Sequence, residues 1–381
     1  VRWRDGLVPV LVGWVWARCC VAAGWVLSDQ LGDVLDNPRQ VLGAHSGLLT
    51  WDGLFYRDLV VGWYDAVPEA GARFFPLYPA LARLLAPLVG GREDWALVII
   101  ANVAAFGGAW VLWRLVREVV DEADPVAVTV DGEPTLRRRL TGSVADRSAW
   151  MVAIAPAGFV LAWAYTEGLA LLLVAATLLA LHRRAFVWAG LFALLSAALR
   201  PVGGLLLVPI VIELWRTRPR PSWPVVTAAI VAPVVGLLLA LGTIAATTGD
   251  VWIPLEAQRE IRGGMQDPIT RVLEPIGELV RGDFRDTYNL AHMWVLLALY
   301  VVAWRRRQPM SWLAYAGFTL LLTLSSQQTD SLGRYALVVV PFVVALAQWA
   351  DRRWRQVSVA VISSLGLVWL TSEALMFRLV P

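Results

Sequence analysis

Long apolar runs recur along the whole chain, and they restrict its fold more than any other feature. About 20 consecutive apolar residues suffice to carry a helix across a bilayer. Runs of this kind fall at Leu7 to Leu27, Trp95 to Trp113, Ala149 to Tyr165, Gly168 to Leu181, Phe186 to Leu199 and Gly203 to Trp215. They continue at Trp223 to Thr247, Leu290 to Trp304, Trp312 to Leu324, Tyr335 to Trp349 and Val357 to Thr371, several of them short. Composition agrees: 58% of the 381 residues are hydrophobic and 17% charged, where soluble domains are about 45–50% apolar and about 25% charged. A soluble enzyme is excluded. The expectation is an all-α polytopic membrane protein of about 11 spans, forming one domain over residues 1–381. The first run follows Arg2 and Arg4 as a signal peptide would, but apolar sequence continues past Arg18, so an uncleaved first helix is expected.

Arginine placement gives this string of helices a direction. All 33 basic residues are arginine, which points to a GC-rich bacterial genome. Basic residues concentrate on the cytoplasmic side of membrane proteins. With 11 spans, one set of loops, including 114–147, 183–184, 216–220, 305–307 and 352–355, has arginine in excess of acid, and the opposite set has acid in excess. The amino terminus is therefore expected inside and the carboxyl terminus outside. The net charge of +3 does not imply a nucleic-acid partner, since here it sets orientation. The two cysteines, Cys19 and Cys20, are adjacent in an apolar run, and His45, His182 and His292 are far apart, so no disulfide framework or metal-ligand spacing is present.

Three loops exceed simple connectors. Those at 28–94 and 249–289 face outside, and the one at 118–147 is a polar, mixed-charge stretch expected to be a solvated connector inside. The first contains Phe74 to Val89, apolar but interrupted by Pro76, Pro79 and Pro87, and is expected to form an interfacial or re-entrant helix rather than a span.

The residues able to do chemistry gather on the outer face. In TWDGLFYRDL, Asp52 stands between aromatic groups and one helical turn before Tyr56. Spacing alone favours an interface helix whose tryptophan Trp51 sits among headgroups and whose acid is a cap, over a catalytic acid. Glu167, in AYTEG, is equally readable as a helix cap or as a carboxylate for substrate or arginine. Arg200, before Pro201, faces the same side; a central arginine costs about 2.5–3.5 kcal/mol on insertion scales, so it must meet water, a carboxylate or an anion. Arg334 opens the tenth span as either a snorkelling anchor or a ligand, and Arg73 before the Phe74-Phe75-Pro76 break reads the same way. His45 and Asp65 are read as solvated, and Glu213 as the partner of Arg216 or Arg218. A carboxylate, a second acid and several arginines on one membrane face suit a lipid-linked, phosphate-bearing substrate.

In their order, several segments resemble the bacterial relatives of the phosphatidylinositol-glycan class V mannosyltransferases, members of the GT-C superfamily of integral membrane glycosyltransferases. The matching segments are TWDGLFYRDLVVGWY (Thr50 to Tyr64), RFFPLYPALARLL (Arg73 to Leu85), AYTEGLALLL (Ala164 to Leu173), ALRPVGGLLLVP (Ala198 to Pro209), TGDVWIPLEAQ (Thr248 to Gln258) and SLGRYALVVVPF (Ser331 to Phe342). The resemblance implies a GT-C-like fold in a bacterial cell membrane, with the site on the extracytoplasmic side. It implies a sugar, mannose, carried on polyprenyl phosphate and transferred with inversion to a glycolipid, polymer or protein acceptor. It assigns Asp52 as the base, which overrides the capping reading, and makes Arg200, Arg334 and Arg73 candidates for the phosphate. Glu167 would orient a sugar hydroxyl or an arginine, with Trp51 and Tyr56 lining the substrate site. Gly168 stands where such enzymes commonly have serine or another small residue. No cofactor is implied and metal independence is the default; a divalent ion would need Asp52 with Asp58 or Glu167. Rival classes are a transporter or flippase, expected to show repeated halves and midplane charges, and a noncatalytic assembly subunit. No repeat is visible, and most charges lie at span ends.

Overall fold

The computed structural model describes residues 6–34, 46–122, 142–280, 287–327 and 331–380. The regular secondary structure of the described residues is helical, apart from one antiparallel bridge between Met265 and Ser326. In chain order the helices are α1 (Leu7–Val34), α2 (Asp52–Gly62), α3 (Leu77–Leu85), α4 (Glu93–Val116), α5 (Val144–Ala153), α6 (Glu167–His182), α7 (Phe186–Leu199) and α8 (Leu207–Arg216). There follow α9 (Trp223–Thr248), α10 (Ile253–Arg262), α11 (Pro268–Val280), α12 (Thr287–Arg305), α13 (Met310–Leu324), α14 (Leu332–Val338), α15 (Val340–Trp349) and α16 (Arg353–Leu375).

The chain is a multi-pass membrane protein. Among the described residues, four helices, α1, α4, α9 and α16, are long and apolar enough to cross a membrane, and α14 with α15 forms a fifth candidate bent by 86°. The runs at 168–181, 186–199, 290–304 and 312–324 fold as shorter apolar helices. α1 does continue past Arg18, whose guanidinium lies over Trp14 and donates to the Asn102 side chain and the Leu161 carbonyl at 2.6 and 3.0 Å. Satisfied in this way, the arginine remains in an apolar helix without a carboxylate among these partners.

Two runs are interrupted, each at a proline, and the run at 203–215 begins as a 3₁₀ segment, Pro201–Leu206, before α8. The run at 149–165 is helical only to Ala153, ahead of Pro156, and continues as turns and a 3₁₀ segment, Gly158–Leu161. The run at 335–349 divides at Val339, where Pro341 lacks the N–H that would bond Leu337. Both breaks bear on the site, because each lies next to one of its charged residues. The segment at 74–89 forms α3 and a 3₁₀ turn, Ala86–Val89, stopped by Gly90 in the left-handed region. At about 20 Å in all it is too short to span. Its Arg83 caps the end of α2 through the Val60 carbonyl at 2.6 Å.

Apolar side chains of α4, α6, α7 and α9 form the main core, and α1, α5 and α16 pack around a second one. Gly168 lets α6 close onto α4, since a Cβ there would lie 2.4 Å from the Ala101 carbonyl oxygen. The connector after α4 falls largely outside the described residues, but its two ends are joined: Asp121 accepts the Val144 and Ala145 N–H groups at 3.0 and 3.1 Å, and Ser143 with Asp146 makes a capping box.

Candidate active site

Asp52 is the first residue of α2, where a carboxylate complements the positive end of the helix. Its backbone position is held from three sides. Trp51 lies at φ 64°, ψ −119°, a conformation that costs a non-glycine residue about 1–3 kcal/mol. Its indole N–H donates to the Ala374 carbonyl at 2.8 Å and its ring packs on Phe377, contacts that offset the strain. The Tyr165 hydroxyl receives the Asp52 N–H at 3.3 Å and donates to the Thr50 carbonyl at 3.4 Å. The unwound stretch before α6 and the turn before α2 also share a backbone bond, Ala164 N–H to the Leu48 carbonyl at 2.8 Å.

Three arginines from distant segments converge on this point. Arg334, in the short helix α14, donates to Asp52 Oδ2 at 2.5 Å. Arg73, which ends the 3₁₀ turn Glu69–Arg73, places Nη2 3.6 Å from Asp52 Oδ1 and lies over the Phe74 ring at 4.7 Å. Arg200 follows α7 in an extended conformation, as residues before proline do, and donates to Glu167 Oε1 at 2.7 Å. Gly203 permits the return turn that sets this position, since a Cβ there would lie 2.1 Å from the Ser196 carbonyl oxygen.

Glu167 opens α6 and joins the two halves of the cluster. Its side chain is 1% exposed, and Oε1 lies 3.6 Å from Arg334 Nε in addition to the Arg200 bond. Its Oε2 and the Arg334 Nε are buried without a hydrogen-bond partner. Two aromatic rings hold the guanidiniums: Tyr335 faces both Arg200 and Arg334 at 5.1 and 5.7 Å, and Tyr165 faces Arg334 at 5.5 Å. Tyr56 is buried beneath, packed on Phe74 and Tyr78 and bonded to Thr166; burial pushes its hydroxyl above the ordinary tyrosine value. Burial also works to raise the Asp52 pKa, but Arg334 and Arg73 outweigh it, and the carboxyl is held below the usual aspartate range.

Of the residues singled out in the sequence, Asp52, Arg73, Glu167, Arg200 and Arg334 come together, with Tyr56 adjoining. Trp51 is turned toward the end of α16. Asp58 pairs with Arg57 at the surface and Asp65 is exposed, while His45 lies outside the described residues. The Glu213 carboxylate accepts the Ser311 hydroxyl instead of pairing with Arg216 or Arg218, and Arg218 donates to the Trp215 and Thr217 carbonyls. Nothing in the sequence pattern distinguishes Tyr165 and Tyr335, although each lies within two residues of a charged site residue. Three guanidiniums face two carboxylates, an excess of one positive charge in a largely buried setting. Such a site favours an anion able to accept several N–H groups. No group of three or more His, Cys, Asp or Glu side chains is placed to hold a metal among the described residues.

These features define a multi-pass helical membrane protein with a buried ionic site. In comparison with solved structures, the chain is similar to the oligosaccharyltransferase of Archaeoglobus fulgidus in its apo form, at 12% identity and a TM-score of 0.45, over 96% of this chain and 56% of that one. It is also similar to the oligosaccharyltransferase AglB of the same organism in complex with an inhibitory peptide and a dolichol-phosphate, at 12% identity and a TM-score of 0.40 over the same shares. The chain thus spans just over half the length of the proteins it matches. No protein-family model and no curated protein matches it in sequence.

Proposed function

We propose that the chain is a GT-C-type inverting glycosyltransferase that moves a sugar from a polyprenyl-phosphate donor to an acceptor at the outer face of a bacterial cell membrane. Mannose is the sugar implied by the segments that resemble the phosphatidylinositol-glycan class V relatives. The observation that carries the reading is the meeting of Asp52 and Glu167 with Arg73, Arg200 and Arg334, drawn from five separated segments. An ordinary structural ion pair would not need an excess of guanidinium over carboxylate.

In this mechanism the acceptor hydroxyl attacks C1 of the sugar as Asp52 takes its proton. The C1–O bond to the phosphate breaks on the opposite face, its electron pair leaves with the polyprenyl phosphate, and configuration inverts. Arg334 and Arg200, with Arg73, stabilise the charge on the leaving phosphate, a contribution that is large where water is excluded. Glu167 orients Arg200 and Arg334 and offers Oε2 to a sugar hydroxyl, while α3 and neighbouring spans line a groove for the polyprenyl tail. In this reading the shorter apolar helices and the broken runs at 149–165 and 203–215 are crossings too, which makes 11 with the amino terminus inside, while the Phe74–Val89 segment stays interfacial because of its prolines; arginine in excess on one set of loops supports this count.

The test is transfer of labelled mannose from polyprenyl-phosphate-mannose to lipid and protein acceptors by the purified protein in lipid, beside Asp52→Asn. Product from the wild type alone, with the variant still folded, is the expected result. Equal product from both would remove Asp52 as the base, and no product from any of a panel of lipid-linked sugars would overturn the transferase in favour of transport or assembly.

A further inference from the structure

The base assigned above is not free to act in this structure. Asp52 Oδ2 is bonded to Arg334 at 2.5 Å and Oδ1 faces Arg73 at 3.6 Å, so both oxygens point at arginines. A carboxylate so held is a weak acceptor for the proton of a hydroxyl, and catalysis requires a stronger one. Arg334 meanwhile faces a second carboxylate: its Nε lies 3.6 Å from Glu167 Oε1 but makes no hydrogen bond there. Tyr165 and Tyr335 flank the guanidinium and keep it in place whichever acid it serves.

We infer that Asp52 is the resident occupant of the donor-phosphate site: its carboxylate holds Arg334 until a phosphate takes that arginine over, and only then is Asp52 released to act, so that donor must bind before acceptor. The inference rests on the phosphate-binding reading of this site. The charges fit the exchange. A sugar phosphodiester carries one negative charge, equal to the excess of three guanidiniums over two carboxylates. The arginine fork can bond two phosphate oxygens in parallel, which a carboxylate at one Nη cannot match. Once Arg334 turns to the phosphate, Nε still faces Glu167, and Asp52 keeps only the longer Arg73 contact.

Competition of this kind has a signature in binding alone. The full chain in lipid nanodiscs is titrated with polyprenyl phosphate, following intrinsic tryptophan fluorescence, for wild type, Asp52→Asn, Arg334→Gln and the double variant. Removing the resident carboxylate is expected to tighten binding by about tenfold, a coupling typical of residues sharing one ion-pair network, and the gain is expected to vanish in the Arg334→Gln background. Equal or weaker binding by folded Asp52→Asn overturns the inference. So does a gain that persists without Arg334, which would mean repulsion at a distance. Absence of saturable binding by the wild type would instead overturn the phosphate reading itself.

Wild-type kinetics give a second measurement that needs no variant. With donor and acceptor both varied, a deoxy analogue of the acceptor, lacking the attacking hydroxyl, is expected to inhibit uncompetitively against donor, because it binds only after donor. Noncompetitive inhibition would show that the acceptor site opens without donor and would overturn the inference.

Discussion

Helix α6 carries an ionic cluster at each end, and the two are built on opposite plans. Its first residue, Glu167, is 1% exposed and faces Arg200 and Arg334 from remote segments. Just beyond its last residue, Arg183 bonds Glu118, which also receives Arg114 from one turn earlier in its own helix. About 24 Å of helix lies between them. In the Glu118 cluster the arginine side chains are 36% and 40% exposed, whereas those of Arg334 and Arg200 are 9% and 14% exposed. Half-wet pairs contribute little and cost little. Burying five charges is expensive unless each is matched, so the Glu167 end is the costly one, and it is there that a buried oxygen remains unpartnered. On the function proposed above, the Glu167 end is the working one and the Glu118 end is fastening.

The sharpest way to break this comparison is the carboxylate at the costly end. Asp52→Asn keeps the shape of the side chain but removes its basicity, and transfer is expected to fall by about 10²–10⁴-fold, as on loss of a general base. If sugar transfer measured in lipid falls less than tenfold, the Asp52 end is fastening too. Next is Arg200→Leu, which strands Glu167 without its 2.7 Å partner. Loss of one member of a buried pair costs about 3–5 kcal/mol, and replacing both by neutral groups recovers much of it. Thermal unfolding in detergent should therefore place Arg200→Leu well below wild type and the double variant Arg200→Leu/Glu167→Gln between the two. A double variant no better than the single would mean that the pair is not an isolated electrostatic unit.

How far these charges could be read from sequence differs between helices and site. The run at Phe186–Leu199 folds with the same bounds, and that at 223–247 is one residue longer, because an apolar stretch in a bilayer must satisfy its backbone within itself. The runs at 149–165 and 335–349 looked equally continuous, yet their prolines break them. Pro156 and Pro341 were visible, but a proline within a membrane helix can also be tolerated, and packing decides which occurs. Asp52, Glu167, Arg73, Arg200 and Arg334 could each be picked out as a charge beside an apolar segment. Their pairing could not, since Arg334 meets Asp52 across 282 residues, through α14 packed on α6 and through the turn before α2 tied to the stretch before α6. The supporting tyrosines, Tyr165 and Tyr335, have no charge to mark them, and only their position beside Glu167 and Arg334 could have drawn notice.

A smaller effect sharpens the contrast through pH. Arg334 and Arg73 hold the Asp52 carboxyl below its ordinary value of about 3.9 in the folded protein. A depressed carboxylate contributes stability that is complete above its unfolded pKa and is lost as pH falls through the folded one. The Tm difference between wild type and Asp52→Asn should thus be constant above about pH 5 and shrink below about pH 4. A difference independent of pH down to that range would mean that the Asp52–Arg334 contact adds nothing to stability.

The smallest expected effect lies at the other end of α6. Glu118→Gln leaves Arg183 and Arg114 partly in water, where an unpaired guanidinium is readily solvated. The loss should be about 0.2–1 kcal/mol, the range for exposed pairs, and should fade as salt rises, since the Debye length shortens from about 10 Å at 0.1 M to about 3 Å at 1 M. Transfer activity should be unchanged, because about 24 Å of helix separates this end from the Asp52 cluster. Unfolding measured at both salt concentrations checks the first part, and sugar transfer the second. A loss of activity at unchanged stability would show that α6 couples its two ends, and the division between function and fastening would then fail.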